Sequence, residues 1–559
     1  YWMSHLGKSL KHSIRTYMLI LTESTPKICK YIFVTGGVLS SVGKGVVTAS
    51  IGKMLQARGY SVTVIKIDPY LNVDCGTMNP YQHGEIFVTE DGGEIDLDMG
   101  HYERFLDINL SKDQNITTGQ IYLTVIERER RGEYLGKCVQ IVPHITDEIK
   151  RRIYAVAERS SVDALLVEVG GTVGDIEGLP YLEAIRQIRL EKGYDNTLFV
   201  HVALVPILDV TGEEKTKPLQ HSVNELRRIG IQPDIIVARC SRMIGEEART
   251  KIALFGTIPK EAVFCSYNLP VVYQAPIILD EQGMGDYISA RLKLESRKPD
   301  WDEWKRIVDS MLNAKYKVKI ALCGKYTSLA DSYVSILEAL KHAGGALSTK
   351  VEVDLIEAEI FEEESEKLHI LDLYDGVIVP PGFGRRGTEG KIAVANYARE
   401  RDIPFLGLCF GFQMAIVAFA RYVCGLDRAN STENDPDTPH PVLDLMPEQK
   451  GVEQMGGSMR LGAYPVKLKP GTLLHSLYSQ DIVYERHRHR WEVNPEYWSI
   501  LESHGIVFSG VSLDGRRIEA FEIPSLRFYV GTQYHPEFKS RPGKPSPVFY
   551  GFIRSCLNR

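Results

Sequence analysis

The stretch Pro404-Phe405-Leu406-Gly407-Leu408-Cys409-Phe410-Gly411-Phe412-Gln413 constrains this chain most, because it joins a short apolar strand to a helix with room only for a sharp turn. Cys409 is the apex. Gly407 and Gly411 flank it as G-x-C-x-G, the thiol counterpart of the hydrolase nucleophile elbow, in which small neighbours let a strained turn push the nucleophile outward. The same turn leaves the backbone N–H of Phe410 free to stabilise an oxyanion. A thiol nucleophile needs a base, and Tyr534-His535-Pro536-Glu537-Phe538 supplies His535 with a carboxylate, Glu537, two positions on to orient the ring. A lone cysteine in an apolar run is usually core packing. The glycines, the strand-to-helix passage and the His-Pro-Glu run together point instead to a Cys409–His535–Glu537 triad, with the thiol pKa lowered from ~8.5 by His535 and the helix N-terminus.

A chain of 559 residues is too long for one hydrophobic core and should hold two large domains or more. Its 44% hydrophobic and 25% charged residues are ordinary for an enzyme, and a net charge of −6 gives no electrostatic reason to expect nucleic acid or an anionic membrane as partner. The nine cysteines include no C-x-x-C pair, so neither a zinc site nor a disulfide framework is indicated. Thiols imply a reducing compartment, and no run approaches the ~18 apolar residues of a membrane span. A cytoplasmic location is expected.

Residues 1–29 mix basic and polar residues without periodicity and are expected to be a disordered extension. From Lys30 the pattern sharpens: Tyr31 to Val34 is a strand, Thr35 to Gly45 a glycine-rich loop carrying Ser41, Gly43, Lys44 and Gly45, and Val46 onward a helix. That order builds a phosphate cradle, in which loop and helix N–H groups face the anion and Lys44 adds a point charge. It departs from an orthodox P-loop, because Gly45 stands where a Ser or Thr would hold magnesium. Carboxylates elsewhere must then take that part. Lys66, at the end of the next strand, is a second phosphate candidate; Glu90, Asp91, Glu94, Asp96 and Asp98 crowd one loop; and Glu168 ends the strand from Ala164, with Asp175 and Glu177 close behind. Residues 123–136 alternate charge sign and read as a solvated helix face.

Prolines and charges at 297–315 suggest an interdomain linker, so the first domain is expected at 30–296 and the second at 316–559. Strands at Val318, Val351, Gly376 and the elbow alternate with helices, as in a second parallel-sheet domain, and the N–H of Gly382 is a second oxyanion donor. Residues 427–457 read as a long polar surface insertion. Glu485-Arg486-His487-Arg488-His489-Arg490 has acidic neighbours and no interleaved aromatics, which argues against a nucleic-acid patch or a metal cluster. The expected fold is α/β throughout: a P-loop-like, Rossmann-like parallel sheet followed by an α/β hydrolytic domain.

The elbow and His-Pro-Glu run resemble class I glutamine amidotransferase domains, although Phe410 replaces the usual Leu and Pro381 precedes Gly382 where the family commonly has glycine. The segments Gly36 to Gly45, Lys66 to Tyr70, Gln82 to Glu85, Gly100 to Phe105, Glu168 to Glu177 and Lys215-Thr216-Lys217-Pro218 are similar to the synthetase domain of CTP synthases, with Cys75 in place of a common proline. The resemblance runs from about Lys30 to the C-terminus.

It implies amination of UTP to CTP with ATP, through 4-phosphorylated UTP and ammonia released from glutamine and passed internally. It implies that Ser41, Gly43, Lys44, Gly45, Lys66 and Asp98 meet ATP phosphates, and that Asp98 and Glu168 hold Mg²⁺. Ser41, Asp175, Ile176, Glu177, Lys215, Thr216, Lys217, Gln220, Lys251 and Phe255 would surround UTP or the feedback inhibitor CTP. Gly382, Gln413, Glu433 and Arg490 would bind glutamine, and Arg386, Thr388 and Glu389 would lie near the activator GTP. The family forms homotetramers. Two other readings stay open at this point: an amidoligase acting on another acceptor, and a nucleotide-sensing assembly subunit without turnover.

Overall fold

The computed structural model describes residues 28–208, 210–445 and 459–558. The expected extension at the N-terminus lies almost wholly outside the described residues. Two sheets organise the rest.

The first has seven strands: β1 (Lys30–Gly37), β2 (Val62–Asp68), β3 (Asn115–Thr117), β4 (Ala164–Val169), β5 (Thr197–Leu204), β6 (Ile235–Cys240) and β7 (Val263–Tyr267). Their order is β3-β2-β4-β1-β5-β6-β7, and every pair is parallel. Parallel sheets need cover on both faces. All residues of β2 and β4 are buried, which is why these strands read as continuous apolar runs interrupted only at their ends by Lys66, Asp68 and Glu168. The register sets Lys66 beside Glu168, and the strand ends form the crevice where open α/β sheets bind ligands. Helix α1 (Lys44–Ala57) leaves β1 through the glycine loop, and α2 (Asp98–Leu106) packs across it.

The second sheet has nine strands: β8 (Tyr316–Gly324), β9 (Thr349–Glu357), β10 (Gly376–Val379), β11 (Phe405–Leu408), β12 (Arg460–Leu468), β13 (Ile482–His489), β14 (Val507–Ser512), β15 (Ile518–Glu522) and β16 (Tyr529–Thr532). Their order is β9-β8-β10-β11-β16-β15-β14-β12-β13, parallel as far as β16 and antiparallel beyond. The elbow strand β11 is central and pairs Leu408 with Thr532, so the two ends that carry Cys409 and His535 emerge side by side.

The segment 297–315, expected as the interdomain linker, holds a helix that the sequence did not suggest: Asp302–Leu312 forms α3, whose Trp304 and Val308 are buried with Trp301 in the first core. Trp304 Nε1 donates to Tyr273 O at 2.9 Å and Trp301 Nε1 to Asp280 Oδ2 at 2.8 Å. The described part of 427–457 is not merely a surface excursion, because Asn430–Ser431, both buried, and Pro441–Leu445 form strands of a small third sheet, with Val442 and Leu443 in the second core. Residues 446–457 lie outside the described residues.

Candidate functional site: an elbow thiol and a lysine-bridged phosphate cradle

Cys409 has φ 49° and ψ −102°, a strained backbone for a non-glycine residue, and caps the helix α4 (Phe410–Tyr422). The strain is enforced by close approach. A Cβ at Gly411 would stand 1.9 Å from Val379 O, and one at Gly407 would stand 2.8 Å from Gly411 O. Cys409 N donates to Thr532 O at 2.8 Å, locking the apex to β16. The sulfur lies 3.6 Å from Arg488 O and 3.8 Å from Gln533 Nε2.

His535 Nδ1 is 2.7 Å from Glu537 Oε1 with both side chains buried, while Nε2 is buried without a hydrogen-bond partner. Burial alone would lower the ring's pKa; the Glu537 carboxylate and the Cys409 sulfur outweigh it and raise His535 to about 10. The ring therefore stands as an imidazolium facing the sulfur at neutral pH. Gly382, at φ 140°, follows β10. Gly384 N donates to Glu433 Oε1 at 2.9 Å, and the other Glu433 oxygen is buried and unpartnered. Gln413 Nε2 is spent on Trp491 O at 3.0 Å and Gln533 Oε1 at 3.2 Å, leaving its Oε1 as a second buried acceptor without a partner. Unpaired acceptors in a dry site suit a substrate that brings N–H donors. Arg490 lines a neighbouring cavity of about 400 Å³ with Arg460 and Glu492. A second cavity, of about 240 Å³, lies between the halves and is lined by Gly382, His535 and Glu537 together with Gly76, Met78 and Glu85.

At the other crevice, Gly43 takes φ 91° and Ser41 φ 56° where the loop turns into α1. A Cβ at Gly36 would meet the Lys44 side chain at 2.6 Å, and one at Gly45 would meet Asp98 Oδ1 at 2.9 Å, so both glycines make room for charged groups. Lys44 Nζ donates to Gly171 O at 2.8 Å, and burial lowers its pKa. Lys66 Nζ is shared between Asp98 Oδ2 and Glu168 Oε1, the latter at 2.7 Å, and Tyr102 donates its hydroxyl to Glu168 Oε2. Burial opposes the Lys66 charge, yet the two carboxylates hold its pKa well above the ordinary value. Burial likewise pushes up Asp68, to about 6, and Asp96, to about 7, and the carboxylates reinforce one another there. For Asp98, Lys66 reverses the effect of burial and its pKa falls.

The donor set fits magnesium. Mg²⁺ is commonly bound by one or two carboxylates with substrate phosphates and water completing the shell, and Asp98 and Glu168 are such a pair beside the cradle. Among the described residues no group of three or more His, Cys, Asp or Glu gathers to hold a metal unaided. The acidic loop is otherwise divided: Glu90 pairs with Arg486, Glu94 with Arg488, Asp91 accepts from Thr89 and Lys112 N, and Asp96 accepts from Asp98 N. Asp98 alone of the five shares Lys66 with Glu168.

The remaining expected residues fall into groups. Asp175 Oδ2 accepts from Thr172 N at 3.0 Å, and Ile176 is 76% exposed beside the exposed Glu177. Gln220 Nε2 donates to buried Thr216 Oγ1 at 3.0 Å; Lys215 pairs with Glu213; Lys217 Nζ lies 5.5 Å from the ring centre of Phe255, on the helix that also carries exposed Lys251. Among the described residues no hydrogen bond or ion pair joins 175–177 to the 215–255 group. Arg386 pairs with Glu357 and Glu359 and donates to Tyr81 Oη, reaching the first half; Thr388 and Glu389 begin the helix α5 (Thr388–Glu400), and Glu389 pairs with Arg421.

Sequence reasoning missed Gln533, Arg488, Tyr102, Asp68, Lys325 and Lys391. Asp68 ends a buried strand as Glu168 does and could have been found by that signal. Gln533 sits two residues before His535 and carried no pattern of its own.

Comparison with known proteins gives the same two-part division. Residues 30–294 match the family model described as CTP synthase N-terminus, and residues 328–555 match glutamine amidotransferase class-I. The CTP synthase of Pyrococcus furiosus is 59% identical over 533 residues, covering 94% of this chain and 98% of that protein. The CTP synthase of Methanocaldococcus jannaschii is 55% identical over 537 residues, covering 95% and 99%. Among solved structures, the glutaminase domain of Trypanosoma brucei CTPS with bound acivicin matches 43% of this chain and 94% of its own, at 37% identity and a TM-score of 0.41.

Proposed function

Because the chain belongs to the CTP synthase family, we propose a division of labour in which the Lys66-bridged cradle activates UTP with ATP and the Cys409 elbow supplies ammonia from glutamine. The enzyme is a glutamine-hydrolysing ligase that converts UTP to CTP. The observation that carries the assignment of residues is that one chain holds both reacting sets of side chains: a buried His535–Glu537 pair facing a strained cysteine, and an ammonium shared by two carboxylates beside a phosphate cradle.

At the elbow, the Cys409 sulfur attacks the glutamine side-chain carbonyl. The developing oxyanion meets the N–H groups of Gly382 and Phe410, and the His535 imidazolium gives its proton to the departing ammonia. Water, deprotonated by His535, then cleaves the thioester to glutamate. Gln413 Oε1 and Glu433 face the amino-acid part of the substrate, and Arg490 takes its α-carboxylate. At the cradle, Ser41, Gly43 and Gly45 surround the ATP phosphates while Lys44 and Lys66 neutralise the phosphoryl group passing to the UTP O4. Asp98 and Glu168 hold Mg²⁺, which when bound offsets phosphate charge. Ammonia adds at C4 and phosphate leaves with the oxygen, so CTP, ADP, phosphate and glutamate are the products. Passage through the 240 Å³ cavity between the halves keeps ammonia from protonation in bulk water.

The finer roles follow the same reading. Lys215, Lys217, Gln220 and Lys251 lie around UTP, Asp175, Glu177 and Phe255 take CTP as feedback inhibitor, and Ser41, Ile176 and Thr216 belong to the same pyrimidine-nucleotide set. Their separation in one chain, with Ile176 exposed, is consistent with a site completed between copies of a homotetramer. GTP activates near Arg386, Thr388 and Glu389. All nine cysteines are free, as the reducing cytoplasm proposed for this enzyme would keep them.

The test is CTP formation by Cys409→Ala, with glutamine and with ammonium chloride in parallel. Synthesis from ammonium but not from glutamine is expected; retained synthesis from glutamine would refute the role of Cys409.

A further inference from the structure

Two buried lysines that the mechanism does not use stand behind the oxyanion loop. Lys391, on α5, is 0% exposed, and its Nζ donates to Pro380 O at 3.1 Å while lying 4.9 Å from the ring centre of Phe410. The position a Cβ would take on Gly382 is 3.5 Å from the same nitrogen. Lys325, 2% exposed, donates to Phe383 O and to Gly384 O, the latter at 3.0 Å. The segment Pro380 to Gly384 is thus gripped through three carbonyls, and Glu433 takes the Gly384 N–H. Two consecutive prolines, Pro380 and Pro381, have no N–H with which to anchor themselves, so Lys391 holds the Pro380–Pro381 peptide by its carbonyl, one peptide ahead of the one that carries the Gly382 N–H.

Burying an amine this deeply is costly, and a structural site would normally be filled by an apolar side chain. Lys391 touches both residues that furnish the oxyanion donors: the Phe410 ring directly, and Gly382 through Pro380. We propose that Lys391 is a positioning residue of the glutaminase, which through Pro380 O and the Phe410 face aims the Gly382 and Phe410 N–H groups at the oxyanion. This rests on the assignment of Cys409 as the nucleophile. Burial pushes the Lys391 pKa well down, and with or without its extra proton the amine keeps an N–H to donate to Pro380 O.

The discriminating experiment exploits a reaction of the same sulfur that develops no oxyanion. Iodoacetamide alkylates a cysteine by displacement: the Cys409 sulfur bonds to the methylene carbon and iodide leaves, with no negative oxygen to stabilise. In Lys391→Met, matched in length but without a donor, glutamine hydrolysis should lose ~10²–10³-fold in kcat, the range for an oxyanion donor, with KM for glutamine changed less than about threefold. Alkylation of Cys409, followed by peptide mass spectrometry, and CTP synthesis from ammonium chloride should both stay within about twofold of wild type. Lys391→Gln, which keeps a shorter donor, should recover part of the lost kcat.

Unchanged glutamine kcat in Lys391→Met overturns the proposal. A parallel fall in alkylation or in ammonia-dependent synthesis overturns it as well, since the lysine then serves the fold. A failure of the underlying assignment is recognised separately, by glutamine hydrolysis persisting in Cys409→Ala.

Discussion

Glu103 on the first half and Arg486 on the second form an ion pair of 2.9 Å in which neither side chain is exposed. Arg541 Nη2 reaches the same carboxylate at 2.6 Å, and Arg486 also donates to Val88 O at 3.0 Å and pairs with Glu90. One buried anion therefore binds two cations from the amidotransferase half. Removing its charge leaves both guanidinium groups desolvated, and breaking a buried pair typically costs ~3–5 kcal/mol. Glu103→Gln should lower the melting temperature by several degrees. It should also reduce glutamine-dependent synthesis more than ammonia-dependent synthesis, because the charge ties together the two halves that the proposed ammonia transfer must bridge. Equal loss with both nitrogen sources would place the damage in the synthetase fold.

The pH behaviour of the elbow follows from the His535–Glu537 pair. His535 titrates at about 10 because Glu537 and the Cys409 sulfur outweigh burial, so its folded value lies above the ordinary 6.5. Stability from this pair is therefore fully present below pH ~6.5 and is lost as the pH rises through 10. In wild type the alkaline limb of glutamine hydrolysis should lie near pH 10. Glu537→Gln keeps the shape and removes the charge, so the limb should move toward neutrality. A kcat loss of ~10²–10⁴ is expected from a mis-set imidazole. The stability gap between the two proteins should narrow from neutral to alkaline pH in thermal melts; a gap that widens would reverse the sign argued here.

How much of this was legible in the sequence depended on whether the signal was local. The elbow and the cradle were, because glycines at fixed offsets mark places where a backbone oxygen or a charged side chain comes too close for a Cβ, as at Gly411 and Gly45. The acidic loop was not. Glu90 and Glu94 find Arg486 and Arg488 almost four hundred positions away, and nothing near either residue records the partner. Prolines and charges concealed the helix at 302–312, whose Trp304 and Val308 recur at the spacing of one helix face and bury against the first core. Lys391 in a helix reads as a surface residue until the strand ends of the second sheet close over it.

The cradle should fail independently of the elbow. Lys66 separates Asp98 from Glu168, and Lys66→Met would leave two carboxylates facing each other and remove a cation from the phosphoryl path. CTP synthesis should fall at least ~10²-fold with either nitrogen source, while basal glutamine hydrolysis without nucleotides stays within about twofold of wild type. Chelation of divalent cations should produce the same split in the unmodified enzyme, and added Mg²⁺ should restore synthesis. Glutamine hydrolysis that collapsed together with synthesis in Lys66→Met would show that the two halves are not separable.

Gly411 offers the strictest test of the elbow. Its missing side chain lets α4 approach β10 until the position of a Cβ stands 1.9 Å from Val379 O and 3.1 Å from the Val379 side chain. A backbone oxygen in a central strand cannot yield as the end of a flexible side chain does. Gly411→Ala must therefore push α4 away, tilting the Phe410 N–H and relaxing the φ of 49° that holds Cys409 outward. Glutamine hydrolysis should fall by ~10³-fold or more, a loss of ~4 kcal/mol in transition-state stabilisation. The first sheet lies outside this contact, so ammonia-dependent CTP synthesis should persist in whatever protein folds. Gly425→Ala is the control: that glycine, unlike the helical Gly411, takes a positive φ, 68°, and has nothing within 4 Å of its Cβ position. It should cost about 1 kcal/mol of stability and leave glutamine turnover near wild type. If Gly411→Ala cost no more glutamine turnover than Gly425→Ala, the close approach at Val379 would not be what shapes the nucleophile's turn.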